Sequence, residues 1–174
     1  MTNHAKAKGN SWERDLAKLL SKVFGYHFER NKNGSGAFVG GINAKRKEYL
    51  SDTQKLSFMA DILPPDEMQK MCVEAKFYKD FPFHHFLINK EIPDVKSWIK
   101  QQLDVVEEQT FWFIAFKINH AGSYIIIPES LCKEFIDDRL GNRSIYFHND
   151  LRYIVADLET FITTYKDDII KKCA

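Results

Sequence analysis

Asp61, Glu74 and Lys76 are residues whose types and spacing could do chemistry together. In "CVEAKF" (72–77), read as a strand, alternate residues share a face. Cys72, Glu74 and Lys76 then point one way, and Val73, Ala75 and Phe77 the other. The preceding strand carries Asp61, and if the two strands pair as a hairpin, Asp61 and Glu74 lie close on one sheet face. Two adjacent carboxylates repel, so without a cation one of them tends to hold a proton. A Mg²⁺ ion, or Mn²⁺ in its place, removes that difficulty, because hard cations accept one or two carboxylates plus waters and a phosphate. Lys76 beside such an ion can orient an attacking water and stabilise charge developing on phosphorus. The set suits phosphodiester hydrolysis. Glu-x-Lys alone reads more simply as an ordinary ion pair on a solvated face, worth little energetically; Asp61 on the neighbouring strand changes the balance. Glu13 has two readings, as a support for the metal site or as the third residue of a capping box begun by Asn10.

The elements that must position these residues follow from periodicity. "SWERDLAKLLSKVF" (11–24) repeats apolar residues at helical spacing, with Asn10 as its cap. "YHFER" (26–30) reads as a short strand. Residues 31–56 form a basic, glycine-containing loop or hairpin excursion. "SFMADIL" (57–63) alternates as a strand ended by Pro64-Pro65, and "MCVEAKF" returns beside it. Residues 94–108 form an amphipathic helix capped by Asp94, with Trp98, Ile99 and Leu103 as core. "FWFIAFKI" and "SYIIIP" are strands, "ESLCKEFIDDRL" a helix, "RSIYFH" and "RYIVA" strands, and "LETFITTYKDDIIKK" a closing helix. This is an α/β layout around a central mixed sheet.

With 174 residues, the simplest division is a single domain spanning 1–174, with residues 1–9 as a flexible arm. Three widely spaced cysteines make no CxxC pair and no disulfide framework, which favours a reducing cytoplasm. No run is apolar enough to span a bilayer, so no membrane partner is expected. Residues 1–56 carry a balance of +6 and the remainder −5, which together give the net +1. A basic first third fits a polyanion partner such as DNA, or else a solvated surface of uneven charge.

Asp61, twelve intervening residues, then Glu74-Ala75-Lys76, after a helix bearing Glu13, resembles the PD-(D/E)XK nuclease superfamily over roughly residues 9–127. Within it, the archaeal and Gram-positive Holliday-junction resolvases look most similar. "GNSWERDLAKLL" resembles their opening helix. "VEAKF", a Gln-bearing helix and "FWFIAFKI" resemble their metal strand, next helix and fourth strand. The resemblance implies a restriction-endonuclease-like fold. It implies Asp61, Glu74 and the Ala75 carbonyl as Mg²⁺ ligands, Lys76 as the water-activating residue and Glu13 as an accessory acid. Gln101 or Gln102 would lie near the site. It further implies branched DNA as substrate, a homodimer, and a bacterial, archaeal or phage-infected cell. Ala60 stands where the motif's name has proline. Residues 31–56 sit where the Gram-positive enzymes carry a projecting stalk.

"GSGAFVGG" (34–41) lacks the GxxxxGK[ST] of a nucleotide-binding loop. It reads instead as a loop bringing Lys45, Arg46 and Lys47 to a DNA backbone, with Arg30, Lys32 and Ser35 as further phosphate contacts. His84-His85, as strand neighbours, would face opposite ways, and zinc is not expected. Two other readings stay open: a different DNA nuclease on the same core, of nicking, restriction or repair type, and a catalytically idle DNA- or protein-binding module. Cys72, on the face of Glu74, has no role in any of them.

Overall fold

A computed structural model describes residues 3–32 and 60–174. Helix α1 spans Asn3–Phe24, and strands β1 and β2 are the short pairs Glu29–Arg30 and Ile62–Leu63. Strand β3 (Met71–Tyr78) follows a 3-10 turn over Asp66–Met68. Helices α2 (His84–Leu87) and α3 (Pro93–Leu103) lead to β4 (Phe111–Ile118) and β5 (Gly122–Pro128). A turn of helix, α4 (Glu129–Cys132), precedes the hairpin β6 (Arg143–His148) and β7 (Leu151–Asp157). Helices α5 (Leu158–Thr164) and α6 (Lys166–Cys173) close the chain.

The described strands make one mixed sheet in the order β1-β2-β3-β4-β5-β7-β6. Only β3 and β4 run parallel, joined by the crossover through α2 and α3. Both faces of the sheet are covered, which is why "FWFIAF" (111–116) reads as an unbroken apolar run. On one face Val73, Phe113, Ala115, Ile125 and Ile154 pack with Leu16 and Leu20 of α1 and with Phe161 and Ile169 of α5 and α6. On the other, Cys72, Ile114, Phe116 and Ile126 pack with Phe86 of α2 and Val95, Trp98 and Ile99 of α3. This is the α/β restriction-endonuclease-like core, a central mixed sheet flanked by helices. Among the described residues, no helix is long and apolar enough to cross a membrane.

The ends of elements differ from the sequence reading in several places. α1 begins at Asn3, so residues 3–9 are helix where an arm was expected, and Asn10 lies inside the helix rather than at its cap. The alanine- and lysine-rich "AKAK" stretch favours helix, and the Asn10 side chain accepts a hydrogen bond from Arg30 instead of capping. α3 starts at Pro93, not at a capping Asp94, because proline is already set for the first helical position and has no N–H to satisfy. It stops at Leu103, which is exposed rather than core. "ESLCKEFIDDRL" gives only α4 and a 3-10 turn, because Asp137 takes the Arg139 N–H onto its carboxylate. The closing helix breaks at Tyr165, whose hydroxyl donates to Asp137 and accepts its N–H. His84 and His85 occupy a helical turn, not a strand. Residues 57–59 and most of the basic segment, with Ser35, Lys45, Arg46 and Lys47, lie outside the described residues.

Candidate active site

The site is built where β2 meets β3. Ile62 pairs with Val73, so the chain just before β2 runs beside Glu74 and Ala75. Asp61 sits at the bend that precedes β2, its N–H bonded to the Val73 carbonyl at 3.1 Å. The ladder stops there, and the Asp61 side chain continues it: Oδ2 accepts the Ala75 N–H at 2.8 Å. A carboxylate thereby stands in for a backbone carbonyl at the point where the strands part.

Glu74, 4% exposed, lies on the β3 face that α3 covers. Burial of a carboxylate is costly unless it is paired and hydrogen-bonded. Here Lys76 Nζ donates to Glu74 Oε1 at 2.5 Å and Gln101 Nε2 donates to the same oxygen at 3.1 Å. Lys76 Nζ also donates to Gln101 Oε1 at 3.2 Å, so the three side chains close a triangle. The amide of Gln101 has one orientation that satisfies both neighbours, nitrogen toward the acid and oxygen toward the ammonium. Lys76 has three donors and uses two, leaving one without a partner among the described residues. Asp61 Oδ1 and Glu74 Oε2 are likewise without hydrogen-bond partners among the described residues.

The electrostatics mark Asp61 as the strained member. Burial raises its pKa to about 7, the Glu74 charge pushes the same way, and Glu13 adds a smaller push; the Ala75 N–H and Lys76 oppose them. A buried acid beside a second carboxylate, with one shared lysine, is short of positive charge. That deficit, together with an all-oxygen donor set, fits a hard divalent cation. Asp61, Glu74 and the Ala75 carbonyl would hold it. The described residues contain no group of three or more His, Cys, Asp or Glu arranged around a metal, so waters and substrate would complete the shell. Cys72 does not join: burial, with Glu74 and Asp61, pushes its thiol up to about 12, and its Sγ lies 3.8 Å from Gln102 Oε1 in the core.

Glu13 does not close a capping box. Its carboxylate accepts from Arg30 Nε, while Arg30 Nη2 donates to Asn10 Oδ1 at 2.7 Å. Arg30, expected at a phosphate, is thus paired within the fold, and the exposed Lys32 follows it. Asn10 and Asn31 are site neighbours that sequence reasoning missed. Asn10 was visible as a polar residue one helical turn before Glu13, on the same face; Asn31 carried no signal beyond following a predicted strand.

A mixed sheet that places an aspartate against a Glu-x-Lys strand at their shared edge defines the PD-(D/E)XK class of nucleases. The family model described as "Phage putative PDDEXK endonuclease" matches residues 4–172, and the chain belongs to that family. No curated protein and no solved structure matches it.

Proposed function

We propose that the protein is a Mg²⁺-dependent endodeoxyribonuclease acting on branched DNA, above all the four-way junction, in recombination or repair. The observation that supports hydrolysis best is the Glu74–Lys76–Gln101 triangle set against the buried Asp61. When bound, Mg²⁺ would neutralise the two carboxylates and polarise the scissile phosphate. Gln101 holds Lys76 and Glu74 in register, so the ammonium is aimed before substrate arrives. The free N–H of Lys76 then orients the attacking water or meets a phosphate oxygen as charge develops on it. Glu13 acts as the accessory acid. Lys32, with Ser35, Lys45, Arg46 and Lys47 of the basic segment, would contact phosphates.

Support for the junction comes from the resemblance of the opening helix, metal strand and following helix to Holliday-junction resolvases. Symmetric cutting of a junction needs two sites, hence a homodimer. The test is Mg²⁺-dependent nicking of a synthetic four-way junction against a linear duplex of the same sequence. Selective, paired nicks on the junction are expected. Equal cutting of both substrates would replace the resolvase with a nicking, restriction or repair nuclease, a second reading favoured by the family description, which specifies no junction. No cutting at all, or undiminished cutting by Asp61→Asn, would remove the catalytic assignment.

A further inference from the structure

Two consecutive residues at the end of β1, Arg30 within the strand and Asn31 just after it, each hold a different part of the site. Arg30 reaches toward α1, where its guanidinium donates to both Glu13 and Asn10. Those acceptors stand three residues apart on the helix and so share a face. The pair is largely enclosed, with side chains 24% and 18% exposed for Arg30 and Glu13. Asn31 reaches the other way: its N–H donates to the Asp61 carbonyl at 2.8 Å and its side-chain amide to the Ala60 carbonyl at 2.8 Å. Arg30 itself pairs with Ile62 in the ladder. One dipeptide thereby fixes Glu13 through a side chain and Asp61 through the backbone.

A guanidinium presents its donors in a rigid plane, so two acceptors on it leave the held carboxylate little freedom to turn. The carboxylate being held is one whose charge reaches Asp61. A mere staple between α1 and β1 would need neither the second acceptor on Asn10 nor a partner acid beside the site.

We propose that Arg30 and Asn10 are positioning residues for the divalent-cation site: together they hold the Glu13 carboxylate in one orientation alongside Asp61, and this sets the site's affinity for the ion. The inference rests on the nuclease reading for its cleavage arm only. Residues that orient a metal site from behind typically change affinity or activity by about 10- to 100-fold when altered.

The test uses Arg30→Lys, which keeps the charge and loses the planar fork, and Asn10→Ala, which changes no charge at all. Mn²⁺ binding is followed by electron paramagnetic resonance without DNA, junction binding in Ca²⁺, and cleavage in Mg²⁺. Both variants should weaken Mn²⁺ binding by about tenfold or more and lower kcat by a similar factor, with junction affinity unchanged. Added to Glu13→Gln, neither should cost anything further, because the residue they position is gone. Unchanged Mn²⁺ binding with only a lower Tm would make the clamp a structural staple and overturn the proposal. Weaker junction binding, additive with Glu13→Gln, would make Arg30 a phosphate contact and overturn it equally. A wild type that takes up no Mn²⁺ also overturns it. A wild type that binds Mn²⁺ and cuts no DNA refutes the nuclease reading while the Mn²⁺ comparison still decides this one.

Discussion

Asp61 carries a cost that its neighbours reveal. Its folded pKa is about 7 against an ordinary 3.8, so the folded protein holds that proton more tightly than the unfolded chain does. Below about pH 4 the acid is protonated in both states and costs nothing; as pH rises toward about 7 the folded state progressively loses stability. Asp61→Asn keeps an acceptor for the Ala75 N–H and abolishes the charge. In metal-free buffer its Tm should match wild type near pH 4 and exceed it increasingly up to about pH 8, each kcal/mol relieved being worth about 2–4 °C in a chain of this size. The same variant should cut no DNA, so stability and activity move in opposite directions. A divalent cation competes with the proton, so its stabilisation of wild type should grow over the same pH interval, read by thermal melts with and without Mg²⁺. A cation shift that is flat from about pH 5 to 8 would contradict the ligand role of Asp61.

The elements follow two different logics, and only one is local. β4 over 111–118 and β6 over 143–148 have the bounds read from the sequence, because an apolar run or an alternation encodes burial on the strand itself. Helix ends were harder to read, since competing side chains decide them: Asn10 bonds Arg30, Asp137 bonds Arg139, and Tyr165 anchors to Asp137 and splits α5 from α6. The candidate site shows the same division. The meeting of Asp61 with β3 was legible, because hairpin pairing follows from two strands and a proline-ended turn. The Arg30–Glu13 pair was not, because its partners lie on separate elements and no periodicity links them. Gly25 is one helix end that local rules do explain: φ is +80° directly after α1, and its N–H returns to the Ser21 carbonyl at 3.0 Å. An added Cβ there would meet nothing within 4 Å, so Gly25→Ala tests backbone strain alone. It should cost about 1 kcal/mol in urea denaturation and leave cleavage unchanged.

At the scale of the whole molecule, charge is segregated along the chain, +6 in residues 1–56 and −5 beyond. If the basic segment tracks a DNA backbone, each phosphate contact releases counterions and steepens the dependence of affinity on salt. Replacing Lys45, Arg46 and Lys47 together by alanine should weaken binding to junction and duplex alike. It should also lower the slope of log K against log salt by about 0.9 per lost contact. A slope that does not change would place the phosphate contacts elsewhere.

The three cysteines offer a different use of the same fold. All are free and fully enclosed, one in β3, one at the end of α4 and one at the end of α6. Burial first of all pushes each thiol up to about 12, so none offers a thiolate at neutral pH in the folded state. Reaction with a thiol reagent therefore has to wait for the chain to open, and its rate reports how often each region does so. Cys173 needs only α6 to lift away, whereas Cys72 needs the sheet beside the Asp61–Glu74 edge to come apart. Labelling followed by mass spectrometry should modify Cys173 first and Cys72 last, and Mg²⁺ should slow Cys72 most. The chain thus carries its own clock for opening beside Asp61 and Glu74, readable without any substrate.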